Sequence, residues 1–245
     1  MLYHNINSSV TYKHSGELGD IIISLAFVQA RGGGCFGINT DNKFLTYNDF
    51  DILVDLLKRQ QYITKAFRWA GEEVNYDLDL FRNIPKDSAT NICHRFFLPF
   101  DIPYSDLKWL DVDPNPVKEI VIARSLRNHN PSFPWTALLH DHRKEVCFLG
   151  LKEEYKKLRI ETQVTFDYFP TNNLLQAAQV IAGSKVFVGN QSCLYAIAEG
   201  LKHPLVQESN PRNLLCVFDR PSVYYFTRSD DEIEMNKFIN TNLIA

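Results

Sequence analysis

Three short polar stretches hold the residue types that could do chemistry. In the first, Gly189-Asn190-Gln191-Ser192, the apolar run Val186 to Val188 ends. A new period then begins, with Leu194, Ile197, Ala198 and Leu201 at i, i+3, i+4 and i+7. The run predicts a buried strand that Gly189 and Asn190 break, and the period predicts a helix from about Ser192. A turn between strand and helix aims backbone N–H groups and the positive end of a helix dipole at one spot. That spot suits an anion, above all a phosphate. Gly189 permits close backbone approach there. The same residues also suit a plain strand–helix unit with Asn190 or Ser192 as N-cap. In the second stretch, Arg124-Ser125-Leu126-Arg127-Asn128-His129-Asn130-Pro131, a long polar loop follows the apolar run Glu119 to Ala123. In the third, His14-Ser15-Gly16-Glu17-Leu18-Gly19-Asp20, two glycines sit in a short polar loop. A buried helical pattern follows, with Ile21, Ile22, Leu25, Ala26 and Val28, and Asp20 falls in its first turn, a capping position.

Other acidic and thiol groups read as structural. Asp77-x-Asp79 alternates with Leu78 and Leu80 as on a half-buried strand face, and Asp111-x-Asp113 runs into Pro114 and Pro116 as a solvated loop. His140 and His142 flank Asp141 at the wet end of a helix with no further ligands close by, so no metal site is expected. Five cysteines are scattered without a Cys-x-x-Cys pair, which predicts reduced thiols in a cytoplasmic protein. The 245 residues carry a net charge of −3, so no strong field favours nucleic acid or anionic membrane. No apolar run is long enough to span a bilayer.

The elements that must position these stretches alternate between strand and helix. Strands are expected at Val10–Lys13, Cys35–Ile38, Lys65–Trp69, Asn75–Phe81, Glu119–Ala123, Glu145–Gly150, Val164–Tyr168, Val186–Val188, Leu205–Gln207 and Leu214–Phe218. Helices are expected at Phe50–Tyr62, Asn91–Phe100, Pro134–His142, Lys152–Leu158 and Asn173–Gly183, with a final amphipathic one at Asp230–Leu243. Alternation of this kind argues for parallel sheets with helices on both faces, an α/β protein. Asp113-Pro114-Asn115-Pro116 is the best linker. It divides the chain into an N-terminal domain (1–115), a second domain (116–229) and a bracing helix (230–245). Ligands in such sheets bind at the carboxyl ends of strands, where both Gly-containing turns lie.

The motif His14-Ser-Gly-Glu-Leu-Gly-Asp20-Ile-Ile-Ile-Ser-Leu25 resembles the N-terminal loop and helix of family 9 glycosyltransferases, the ADP-heptose:lipopolysaccharide heptosyltransferase group. Phe148-Leu-Gly150-Leu-Lys-Glu-Glu154 is similar to their donor-domain strand and ribose-contacting acid, and Leu174 to Gly200 to their helix, strand and phosphate turn. Where that family usually has an acid, a threonine and a glycine, this turn reads Asn190-Gln191-Ser192. The resemblance implies a GT-B-like fold: two Rossmann-like doubly wound domains facing a cleft, with the C-terminal helix crossing back.

It further implies sugar transfer from a nucleotide-diphospho-sugar to an acceptor hydroxyl, with no cofactor beyond that co-substrate and no metal. The leaving diphosphate would be met by Gly189, Asn190, Gln191 and Ser192 with Arg124, Ser125 and Arg127, since charge builds on its oxygen as the bond breaks. Either arginine could instead form a surface ion pair. Glu153 or Glu154 would hold ribose hydroxyls. Asp20 would be the base, with His14 and His129 as secondary candidates and Gly16 and Gly19 shaping the acceptor-side loop. The acceptor would be a glycan, a lipid-linked sugar or a modified DNA base. A DNA-base glycosyltransferase of the same fold, with a basic face of Lys58, Arg59, Lys65 and Arg68, stays open, as does a non-catalytic nucleotide-binding module. A dinucleotide oxidoreductase is disfavoured because Gly16-x-x-Gly19 lacks the full G-x-G-x-x-G pattern.

Overall fold

The structure, a computed structural model, describes residues 10–227 and 232–244. The chain forms two compact units. One runs to Val112 and includes Asn173–Leu175; the other comprises Asp113–Asn172 and the chain from Gln176.

In the first unit the elements are β1 (Thr11–His14), α1 (Leu18–Ala30), β2 (Gly34–Ile38), α2 (Tyr47–Arg59), β3 (Ile63–Arg68), β4 (Tyr76–Asp77) and the single turn α3 (His94–Phe97). Every ladder is parallel, in the order β3-β2-β1-β4. Helix α1 is buried from Ile21 to Val28, which explains why its sequence is apolar nearly all round. The α1–β2 turn passes through Gly33 at φ +81°, where a Cβ would meet the Tyr62 carbonyl oxygen at 2.1 Å. Only glycine fits there. Thr46 and Asp49 form a capping box that starts α2.

The second unit contains β5 (Ile120–Ala123), α4 (Trp135–Asp141), β6 (Val146–Phe148), α5 (Lys152–Thr162), β7 (Asp167–Tyr168), α6 (Leu174–Ala182), β8 (Val186–Asn190), α7 (Cys193–Gly200), β9 (Leu205–Glu208), β10 (Val223–Phe226) and α8 (Glu232–Ile244). Its six strands are all parallel, in the order β10-β9-β8-β5-β6-β7. Counted from β5, that order is the doubly wound 3-2-1-4-5-6 arrangement, whose direction of winding reverses between β5 and β8. Ile122, Val188, Val206 and Phe226 form one face of this sheet's core, and Met235 and Ile239 of α8 pack into it.

Several expected elements differ. Leu214–Phe218 is not a strand; its place at the sheet edge is taken by β10. The reason lies in its backbone groups, which side chains claim: Cys216 O accepts from the Tyr195 hydroxyl at 2.6 Å, and Phe218 N–H donates to the Tyr225 hydroxyl at 2.8 Å. The expected strand Asn75–Phe81 stops after Asp77, because the Asp77 carboxylate accepts the Asp79 N–H at 3.1 Å and starts a 3-10 helix, Leu78–Asn83. Likewise, the helix expected at Asn91–Phe100 is one α turn continued as 3-10 to Phe100, with Pro99 in its path. Asn190 does not break β8 but ends it, paired with Glu208. Gly19 lies inside α1 rather than in the loop before it. The final helix buries Met235 and Ile239, whereas its Ile233 is 78% exposed. Asp230, its expected start, lies outside the described residues.

Candidate functional site

The switch point of the second sheet joins two of the three polar stretches. The loop after β5 leaves beside the turn after β8, and Asn190, fully buried, ties them together. Its Oδ1 accepts from Ser125 N–H at 2.9 Å; its Nδ2 donates to Ser125 O at 3.1 Å and to Arg127 O. His129 Nε2 stands 2.6 Å from the same Ser125 carbonyl. Ser192 is the N-cap of α7, its hydroxyl accepting the Tyr195 N–H at 3.2 Å. That bond leaves the hydroxyl proton of Ser192 to donate elsewhere. Gln191 Oε1 accepts from Asn213 Nδ2 at 3.1 Å. Gly189 has a use other than ligand approach: a Cβ there would lie 2.7 Å from Ala123 O and 2.9 Å from the Phe187 ring, so the close approach is between β8 and β5.

Arg124 is held inward. Its Nε and Nη2 donate to the two oxygens of Glu208 at 3.0 and 3.2 Å, and its Nη1 pairs with Glu161. Glu208 has no exposed surface and also accepts from Asn130 N–H at 2.8 Å and Trp135 Nε1 at 3.0 Å. Four donors satisfy this carboxylate, the condition under which a buried charge is tolerated. Arg124 is therefore an internal anchor of the loop, and Arg127, which is exposed, is the cation this loop shows to solvent. Glu208 is functional in the sense that it holds the loop, and sequence reasoning missed it. The available signal was a glutamate closing the apolar run Leu205-Val206 at a strand's carboxyl end. Glu153 is exposed in the first turn of α5, where its neighbour Glu154 folds back on Leu151 N–H at 3.0 Å.

The third polar stretch lies at the switch point of the first sheet, between β1 and β4. Asp79 organises it, accepting from Ser15 N–H at 3.1 Å, Ser15 Oγ at 2.5 Å, Lys13 Nζ at 2.7 Å and Arg82. Against the cost of burial, its contacts with His14, Lys13, Ser15 and Arg82 hold the Asp79 carboxyl well below the usual carboxylate range. Asp77 and Asp79 are thus lysine partners in a network, not the alternating face of a strand. His14 is fully buried and its Nδ1 accepts the Gly16 N–H at 2.7 Å. Burial pushes its pKa down to about 3, so it is neutral and serves the loop from inside. Gly16 leaves no room for a side chain, since a Cβ would meet the His14 ring at 2.4 Å. Asp20 is half-buried at the third position of α1, in the field of the buried Arg95 guanidinium. The Glu17 side chain makes no capping bond at this helix.

No protein-family model matches the chain, and no curated protein matches it. Solved structures do. A family 9 glycosyl transferase from Veillonella parvula superposes with a TM-score of 0.63 at 10% identity, covering 96% of this chain and 97% of that one. E. coli ADP-heptose lipopolysaccharide heptosyltransferase II gives 0.61 at 13%, covering 95% and 98%. E. coli heptosyltransferase WaaC, solved with ADP-2-deoxy-2-fluoro heptose, gives 0.58 at 10%, covering 93% and 98%. The chain shares the α/β fold of these glycosyltransferases, the fold that the sequence motifs resembled. Among the described residues no helix is long and apolar enough to cross a membrane, and no group of three or more His, Cys, Asp or Glu side chains is placed to hold a metal ion.

Proposed function

We propose that the protein is a glycosyltransferase that moves a sugar from a nucleotide-diphospho-sugar to an acceptor hydroxyl. One observation carries the reading. At the β5/β8 switch point, the N-terminus of α7 and the loop of Ser125 and Arg127 are stitched together by Asn190. This happens in the fold of enzymes whose structures hold ADP or ADP-heptose. The helix N-terminus, the Ser192 hydroxyl and Arg127 supply donors for charge growing on a leaving diphosphate, without a metal. Arg124, neutralised by Glu208 and Glu161, supports the loop instead. Glu153 is the candidate for a ribose hydroxyl. Asp20 is the candidate base, at the third position of α1 with the Arg95 guanidinium in its field.

Calorimetric titration with ADP, GDP, UDP and CDP and their sugar conjugates, on the parent and on Ser192→Asp, tests the proposal. Aspartate is as good an N-cap as serine, so α7 keeps its cap and the variant keeps its melting temperature. Its charge repels a diphosphate, so affinity falls by about tenfold or more. A folded Ser192→Asp protein with parental affinity sinks the placement. Binding without turnover toward any hydroxyl acceptor would leave only a nucleotide-binding module.

A further inference from the structure

In the second unit, among the described residues, Gln207 Oε1 is a buried side-chain oxygen that no hydrogen bond reaches. Gln207 is 2% exposed. Buried amides are nearly always paired in native proteins, so an unpaired one asks for a partner that is absent from the chain itself. Its position in the sheet says where that partner would lie. Side chains alternate along a strand, and in-register parallel neighbours share a face. Glu208 bonds Arg124 and Trp135 on one face. Gln207 therefore points to the other, in a row with Gly189 and Ala123 on one side and Tyr225 on the other.

Helix α7 covers that second face. The Tyr195 hydroxyl bonds Cys216 O, and its ring lies 6.4 Å from that of Phe218, whose N–H reaches the Tyr225 hydroxyl. Gln207 is level with Gly189, at the carboxyl end of the strands, the end of the sheet from which α7 starts at Cys193. Gly189, its neighbour in the row, puts no side chain between them. A helix N-terminus and an unpaired buried acceptor thus converge on one place. The first prefers a phosphate. The second cannot pair with phosphate oxygens, which bring acceptors only, and selects a hydroxyl.

We infer that Gln207 is a ligand-binding residue whose amide oxygen accepts a hydrogen bond from a ribose or sugar hydroxyl adjoining a phosphate held at the N-terminus of α7. The inference rests on the donor site proposed above. The test is Gln207→Leu, with Gln207→Met as a second variant of similar length, titrated with the same nucleoside diphosphates and sugar conjugates and melted without ligand. Removing an unpaired amide from a buried place should leave the unliganded melting temperature equal or higher. Affinity for the best ligand should fall about tenfold, the worth of one good hydrogen bond. A loss already present with the diphosphate places the hydroxyl on the ribose; a loss confined to the conjugate places it on the sugar. Parental affinity for both ligands in either folded variant overturns the inference and leaves the donor site standing. Failure of both variants to fold would mark the amide as structural and overturn it too. A parent that binds none of these ligands overturns the donor site and the inference together.

Discussion

Asp20 and Arg124 were both charged groups to which the family resemblance gave a role, one as base and one as diphosphate contact, and their surroundings separate them. Arg124 spends three donors on two carboxylates, whereas Asp20 is half-buried in a first helical turn, where a negative charge is favoured. Asparagine at position 20 can accept any backbone bond an aspartate accepts but cannot take a proton at neutral pH. Asp20→Asn should therefore keep donor affinity and melting temperature while turnover falls by about 10²–10⁴-fold, the usual worth of a general base. Turnover within about threefold of the parent would remove Asp20 from that role. His129, with Nε2 already 2.6 Å from Ser125 O, would then be the next candidate, because His14 has no exposed surface. Asp20 was visible because the Gly-containing loop before it and the apolar helical pattern after it are both local in sequence. Glu208 was not, because its donors Arg124, Asn130 and Trp135 lie 84, 78 and 73 positions away.

At the scale of elements, the β8–α7 unit was legible because an apolar run and a 3.6-residue period are both local signals. Strand β10 was not, because Leu214–Phe218 carries as strong a strand pattern, and only Tyr195 and Tyr225 decide between them by taking its backbone groups. Asn190 shows what the turn requires. Its Nδ2 donates to two carbonyls, of Ser125 and Arg127, which a carboxylate would repel. Asn190→Asp should cost about 1–3 kcal/mol as buried acceptors lose their donor, and should weaken diphosphate binding by freeing the loop. Equal melting temperature and affinity in that variant would show that the loop holds without the clamp. Helix α8 makes a second forecast. Met235 and Ile239 are fully buried in the core of the second unit, and each such side chain contributes about 1.5–3 kcal/mol. Truncation after Ser229 should lower the melting temperature steeply or abolish soluble expression. A truncated protein that melts with the parent would leave the helix a mere appendage.

The whole molecule combines two parallel sheets, each with its polar turns gathered where the strand order reverses, and among the described residues each unit holds a histidine pushed toward the neutral form, His14 fully buried and His203 half-buried. Alternation of strand and helix made the class of fold readable, but strand order depends on pairings between distant segments and had to come from the structure. His14 in the first unit is pushed down to about 3 and His203 in the second to about 4, both chiefly by burial. In the unfolded chain both titrate near the ordinary value of about 6.5. Between these limits the unfolded state binds more protons than the native one, so stability must fall as pH falls. Each histidine contributes up to about 1.4 kcal/mol per pH unit, fully present above about 6.5 and lost progressively toward 4. Asp79, held low, loses nothing in that window, because its stabilisation fades only below the ordinary carboxylate value of about 3.8. Glu154 and Glu199, both raised by burial above the ordinary value of 4.5, act in the opposite sense and soften the slope above that value. The check is the melting temperature followed from pH 8 to pH 4, on the parent and on His203→Gln, whose amide can keep the bond to Ser184 Oγ now made at 2.9 Å. The parent should be level down to about pH 6.5 and then decline, and His203→Gln should decline less steeply. A profile flat from pH 7 to pH 5 would mean that neither imidazole resists protonation, and with that the buried, neutral His14 that shapes the loop before Asp20 would have to be abandoned.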